Sequence, residues 1–433
     1  MTLIDLGDLR EDPAPSVASR RPPPLGRPLR TLLVLLLALA TLSAAAPPPG
    51  RMWAVVPAAP VAEALFAGDL LLVSQLVPGS ADGSRDLVAY PLPDRATTAA
   101  QRPEPLWQVR LPAAGEIWRV QAGKGVLVLS GSVGLDGTPE TTVLDAETGR
   151  VRWRLPGFSQ LDATGRLLLE NMVGATKVSS VDLASGRVLW SIPSPPTPRM
   201  QVRVRDGVID RIVAIGPDGL AEVRDAATGT VLRRADLGLD AKVSEERRHQ
   251  VVADLLLVVD GSRSRVRAYD LDRLESRWEA DLPLMSYLVT CGALLCAQGP
   301  AGGIRAVDPA TGAARWSAPP AWDGILGARG DRLLVMGGRV AGNAFAVLDA
   351  GTGRVVAELG EWQPLPSTDP DGPPVGLRRA ADGRLVVVEF DVVAGRVRVL
   401  DVVTDTAGHC QVGADAVVCR RLDGSFGVWR WRR

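Results

Sequence analysis

A nine-residue phrase, DAETGRVRW at 145–153, returns almost unchanged as DLASGRVLW at 182–190, and no other feature constrains the fold of this chain so tightly. Its relatives are EVRDAATGTVL at 222–232, AYDLDRLESRW at 268–278, AVDPATGAARW at 306–316 and VLDAGTGRVVA at 347–357, with a worn copy, VLDVVTDTAGHC, from Val399. The aspartates of these phrases are Asp145, Asp182, Asp225, Asp270, Asp308, Asp349 and Asp401, spaced 37, 43, 45, 38, 41 and 52 residues apart. A unit of about forty residues recurring along a chain implies stacked supersecondary units, none of which can cover its own apolar faces alone.

Short β-rich runs opened by Gly or Asp accompany the phrases: AGDLLLVSQ, GKGVLVLSG, TGRLLLENM, ADLLLVVDG, CGALLCAQG, GDRLLVMGG and DGRLVVVEF. Runs this short, rich in Leu and Val and bounded by turn formers, suit buried strands, and no sustained helical period lies between them. Each unit therefore reads as four antiparallel strands, and such units repeated radially make an all-β propeller. Eight blades are expected, with seven or nine also open. ADAVVCRRLDGSFGVWRW at 414–431 reads as a partial unit, and MWAVVP at 52–57 can supply its missing outer strand.

In the turns, Asp145, Asp182, Asp225, Asp308 and Asp349 are expected to accept backbone N–H bonds. Gly149, Gly186, Gly229, Gly312 and Gly353 are expected to supply the positive φ of a tight hairpin. Trp107, Trp153, Trp190, Trp278 and Trp316 follow on outgoing strands, where a flat ring can dock blade against blade and bury ~150–250 Å².

The D-x-x-T-G-x-x-x-W segment resembles the quinoprotein-type propeller repeat, over roughly residue 53 to the C-terminus. Enzymes of that family carry pyrroloquinoline quinone on a calcium site, with an aspartate base and commonly a vicinal disulfide. This chain has no adjacent Cys-Cys, and its asparagines are Asn171 and Asn343 only. A quinone would find neither its Lewis acid nor its base. The resemblance thus implies a non-catalytic member without cofactor. In architecture it is similar to the propeller lipoprotein that helps assemble outer-membrane barrels, but it shows no lipobox cysteine.

The first thirty residues, rich in Pro and Arg, are too poor in apolar groups to fold alone and read as a disordered cytoplasmic tail. TLLVLLLALATLSAAA at 31–46 follows Arg20, Arg21, Arg27 and Arg30, so the positive-inside rule puts its start in the cytoplasm and the rest outside. A single-pass transmembrane signal anchor at 31–49 is favoured over a cleaved signal peptide. The propeller, 50–433, then lies outside the cytoplasm. Cysteine usage agrees with export: Cys291 with Cys296 and Cys410 with Cys419 flank short turns, where facing strands allow two hairpin disulfides.

Forty-nine basic residues balance forty-nine acidic ones, which gives no general attraction to nucleic acid. Forty-six of the basic residues are arginine, a coding bias suited to a high-GC, actinobacterial source. The two histidines, His249 and His409, argue against multi-histidine metal chemistry, and the cysteine spacing gives no zinc knuckle. DPDG at 369–372 and the DAETG turn lack the ligand pattern of a calcium loop. No nucleophile elbow surrounds the serines of 78–86 or 261–267, and His249 reads as part of a solvated charged run. Two stretches break the period: EWQPLPSTDPDGPPVG at 361–376 and KVSEERRHQ at 242–250, loops of the kind that carry binding on a propeller face. Trp322 and Trp362 fall outside the docking register and read as surface residues or core fillers.

No catalytic, cofactor-binding or metal-binding residue is assigned. The expected function is a non-catalytic scaffold or assembly factor at the cell envelope, monomeric, with a protein or peptide partner on one propeller face and the membrane held through the N-terminal helix. The alternatives are a quinone-dependent dehydrogenase and an extracytoplasmic ligand sensor.

Overall fold

The computed structural model describes residues 51–431 apart from 82, 112–113, 135–136, 172–175, 194–200, 240–246, 261–264, 283–286, 300–301, 340–341 and 368–371. The anchor expected at 31–49 and the tail before it lie outside the described residues, as do most of the charged stretch 242–250 and residues 368–371 of the other period-breaking loop.

All seven Leu/Val-rich runs are strands, and six of them are the second strand of a sheet. That position explains their composition. Leu71, Leu72, Leu127, Val128, Leu167, Leu168, Leu256 and Leu257 are buried although successive side chains point to opposite faces, so neighbouring sheets cover both sides. A strand covered on both faces has no reason to alternate apolar with polar.

The first sheet is built from Glu63–Ala67, Leu70–Leu76, Arg85–Pro91 and Trp107–Leu111, and the second from Ala114–Gly123, Val126–Val133, Thr138–Asp145 and Val151–Pro156. The third to sixth sheets span 158–193, 201–236, 247–281 and 287–318, each of four antiparallel strands in sequence order. The seventh has seven strands, between residues 324 and 403. The eighth joins Thr406–Val412, Ala416–Arg421 and Phe426–Arg430 to Met52–Val56 from the other end of the chain. Eight hydrogen-bonded sheets thus follow one another as propeller-like repeats.

Among the described residues the buried apolar side chains fall into nine clusters, each between successive layers. The layers close on themselves: Phe426 and Val428 of the eighth sheet share a cluster with Phe66, Leu71 and Tyr90 of the first. The ninth cluster arises because one strand serves twice. Val355–Pro364 pairs with Gly342–Asp349 as far as Trp362, then Gln363 and Pro364 pair with Leu377 and Gly376 of Val375–Arg379. The two halves of the seventh sheet consequently pack face to face, with the rings of Phe345 and Phe390 stacked 4.8 Å apart.

The partial unit at the C-terminus is completed by strand exchange between the chain ends. Met52 faces Arg430 and Trp53 faces Trp429, whose rings stack at 6.3 Å. Around this seam Arg51 donates to Val402 O and pairs with Asp401, and Arg420 donates to the carbonyls of Ala59 and Ala62.

Asp401 needs a correction. It lies within the strand Arg396–Val403, not in a repeat turn. The turn of that unit is Asp391–Gly395: Asp391 Oδ1 accepts from Ala394 N at 3.1 Å, and Gly395 has φ of 63°. Counted from Asp391, the spacing after Asp349 is 42 residues instead of 52.

Both disulfides are present. Cys410 and Cys419 face each other across a strand pair with Cα atoms 4.1 Å apart, and Cys291 and Cys296 bridge the first two strands of the sixth sheet at 5.8 Å. Each closes a short loop. Replacing either pair by alanines is therefore expected to cost about 2–3 kcal/mol, the low end for a native cross-link. Urea unfolding of the two paired variants checks this.

Candidate functional site

The repeat turns share one construction. Oδ1 of each aspartate accepts from the backbone N–H three residues on, at 3.0 Å in Asp145–Thr148, 2.9 Å in Asp182–Ser185, Asp225–Thr228 and Asp349–Thr352, and 3.2 Å in Asp308–Thr311. The glycine N–H closes the turn on the aspartate carbonyl. Three outgoing strands add an arginine to the same carboxylate: Arg152 to Asp145, Arg277 to Asp270 and Arg315 to Asp308.

These bonds favour the ionised carboxylate. Asp145 is drawn from 3.8 down to about 2 by its hydrogen bonds from Arg152 and Thr148. Asp182, Asp308 and Asp349 shift the same way through Ser185, Arg315 and Thr352. The unfolded chain therefore binds more protons than the folded one between about pH 4 and 2, and stability is lost as pH falls through that window. The urea midpoint is expected to hold down to about pH 5 and fall below 4. Asp401 has the opposite sign, since burial raises its pKa and its contribution is lost as pH rises.

Each repeat tryptophan lies on the turn of the following sheet. The indole Nε1 atoms of Trp107, Trp153, Trp190, Trp278 and Trp316 donate to the carbonyls of Ala146, Leu183, Ala227, Pro309 and Ala350 at 2.8–3.0 Å. The ring rests on the turn glycine: a methyl on Gly186, Gly229 or Gly312 would lie 2.7, 2.8 or 2.5 Å from a ring atom. Glycine is needed at these turns twice over, for its φ near 70° and for the missing β-carbon.

The joint between the fourth and fifth sheets has no such ring: Arg233 stands at the position held by Trp153, Trp190, Trp278 and Trp316 in their units, and Leu274 stands where the turns under those rings have glycine. With no ring above it, Leu274 keeps φ of 57° and buries its side chain among Val213, Leu237 and Leu271. A polar cluster spans this joint. Arg203, 1% exposed, forks onto Asp210 at 2.9 and 2.7 Å and reaches Asp254 and Asp272 at 3.2 and 3.0 Å. Arg205 adds a bond to Asp254 and Arg211 one to Asp272. The Arg203 bonds hold Asp210 below the usual carboxylate range, and Asp272 falls too despite burial.

The period-breaking segment 361–367 forms the strongest candidate binding region. It occupies the inner edge of its layer, with Leu365 N donating to Val375 O at 3.0 Å and Val412 N donating to Pro366 O at 3.1 Å. It separates three cavities of about 900, 500 and 210 Å³, all lined in part by residues 364–367. The largest is also lined by Glu361, Trp362, Gln363, Arg378, Arg379 and His409, and the second by Phe66, Trp118, Arg119 and Gln411.

Two bulges aim side chains here. Ile117 faces Gly131 and Arg119 faces Ser130, which leaves Trp118 without a cross-strand partner, 43% exposed and stacked on Phe158 at 5.5 Å. Gly408 faces Arg420 and Cys410 faces Cys419, which leaves His409 likewise unpaired in the ladder, exposed and at φ of 51°. Bulges re-aim side chains in this way beside functional sites. Sequence reasoning missed Trp118; its place outside the docking register was the available signal.

Other sequence expectations need revision or placing. His249 is buried in the strand Arg247–Val252, not solvated. Trp322 and Trp362 are both core residues; Trp362 Nε1 donates to Leu359 O at 2.7 Å, and the Arg378 guanidinium lies 4.3 Å from its ring. Among the described residues, no group of His, Cys, Asp and Glu is arranged to hold a metal.

A family model described as outer membrane protein assembly factor BamB matches residues 97–281. The matched stretch contains the turns at Asp145, Asp182, Asp225 and Asp270, so a BamB-like propeller repeat is the fold of this region. No curated protein matches the chain. Two solved structures align with it loosely. One is BamB from Moraxella catarrhalis, at 15% identity over 86% of this chain and 94% of that one, with a TM-score of 0.39. The other is the computationally designed Ika8 protein, at 17% identity over 74% and 96%, with a TM-score of 0.49. Among the described residues no helix is long and apolar enough to cross a membrane.

Proposed function

We propose that this chain is a non-catalytic, extracytoplasmic propeller that holds a protein partner as an assembly scaffold at the cell envelope, carried on an anchor at 31–49 in an actinobacterial cell. The observation that carries the reading is the cavity region around 364–367, where bulged inner strands turn Trp118 and His409 outward beside exposed arginines. Ring-docked sheets supply a rigid frame for such a surface. The name of the matching family model points the same way, and the two disulfides suit an oxidising compartment.

A photo-cross-linker placed at Gln363, beside the cavities, is expected to give a discrete protein adduct in intact cells, whereas one at Val188, on an outer strand, gives none. The reading is overturned if neither position gives an adduct, or if purified protein takes up added quinone with a visible absorbance and reduces a dye with an alcohol. Protease added outside intact cells is expected to degrade the propeller and spare the N-terminal tail.

A further inference from the structure

Among the described residues, the linings of the two larger cavities carry more positive than negative charge. Arg119, Arg378 and Arg379 line them, all exposed, and none is paired with a carboxylate among the described residues. Arg379 donates only to Gly383 O, and Arg378 lies over the Trp362 ring. Among the described residues of the two linings, His409 is the other basic side chain and Glu361 the one carboxylate. Elsewhere the arginines of this net-neutral chain are widely neutralised in place, as Arg152, Arg203, Arg277 and Arg315 are. Guanidinium groups left free beside a cavity are donors in search of an anion, and their planar forks match carboxylates.

Trp118 adds a second requirement. A bulge that breaks the ladder to expose an indole, backed by Phe158, provides a flat apolar platform within the same basic region. A small inorganic anion has no use for it. An extended chain does, because alternate side chains can meet arginine and ring in turn.

We propose that these adjoining cavities bind an acidic, extended segment of a protein partner, its carboxylates held by Arg119, Arg378 and Arg379 and an aromatic side chain laid on Trp118. This rests on the scaffold reading above and names the chemistry of the partner.

The test is fluorescence anisotropy on the full chain in detergent, with a labelled peptide of alternating glutamate and glycine around one tyrosine. The glutamine counterpart of that peptide is expected to bind about tenfold more weakly or worse. Arg119→Gln and Arg378→Gln should each weaken the acidic peptide several-fold and flatten its salt dependence, and Trp118→Ala should remove the preference for tyrosine over alanine in the peptide. These side chains are exposed, so unchanged urea unfolding confirms that the variants fold. The proposal is overturned if the glutamine peptide binds equally, if Arg119→Gln/Arg378→Gln/Arg379→Gln leaves affinity unchanged, or if free glutarate competes as well as the peptide. An adduct at Gln363 without acidic-peptide binding defeats this proposal and leaves the scaffold reading standing; loss of both defeats both.

Discussion

Replacing Trp278 with alanine is expected to destabilise the protein by about 3–5 kcal/mol, the cost of emptying a buried aromatic site. The ring is 7% exposed, donates to Pro309 O and lies on Gly312. Trp190 is more accessible, so alanine there should cost less, about 2 kcal/mol. Gly312→Ala should itself cost about 2–3 kcal/mol, because its methyl meets the ring in a backbone with φ of 70°. The Trp278 and Gly312 changes should not add. Once the ring is gone the methyl has room, and a coupling of about 1 kcal/mol or more is expected from the double-mutant cycle. Strict additivity in urea unfolding would mean that ring and glycine do not meet in solution.

Arg203→Met should have the next largest effect, about 3 kcal/mol at neutral pH, because it leaves Asp210, Asp254 and Asp272 without their shared counter-charge. The figure sits at the low end for a broken buried pair, since Asp254 and Asp272 keep substantial contact with water. The sign with pH is defined. Asp210 and Asp272 have lowered pKa values while the arginine is present, so the stability that the cluster contributes is lost as pH falls through those values. The deficit of the variant should therefore shrink in acid. A deficit that is the same at pH 3 and 7 would assign the effect to lost packing instead of lost charge.

Local chemistry made the repeat legible. An aspartate, a turn glycine and a tryptophan at fixed offsets are visible together in the copies at Asp145, Asp182 and Asp308, and a continuous Leu/Val run announces a strand covered on both faces. The unit at Asp391 escaped because it has Ala394 where most copies have threonine and Val399 where most have tryptophan; the stronger VLD match at Asp401 stood in for it. The doubled use of Val355–Pro364 was hidden in what read as an insertion. Arg203 was invisible for another reason, since its partners lie 7, 51 and 69 residues along the chain. Trp118 and His409 depend on strand register, which follows from cross-strand pairing and not from either strand alone. The substitution of Leu274 for glycine was readable, but its meaning required knowing that the ring from the preceding unit was missing.

The strand Met52–Val56 has a consequence for how the protein is made. Its partner, Phe426–Arg430, is synthesised about 370 residues later, so Met52–Val56 waits unpaired while all the intervening strands are made. Contacts of such sequence separation are slow to form, and an unsatisfied strand edge is a site of misassembly until they do. Loss of Phe426–Arg430 would strip Met52–Val56 and Ala416–Arg421 of a neighbour at once. A product truncated before Phe426 should thus be recognised and degraded as incomplete, while pairing of Met52–Val56 with Phe426–Arg430 covers both strand edges at once.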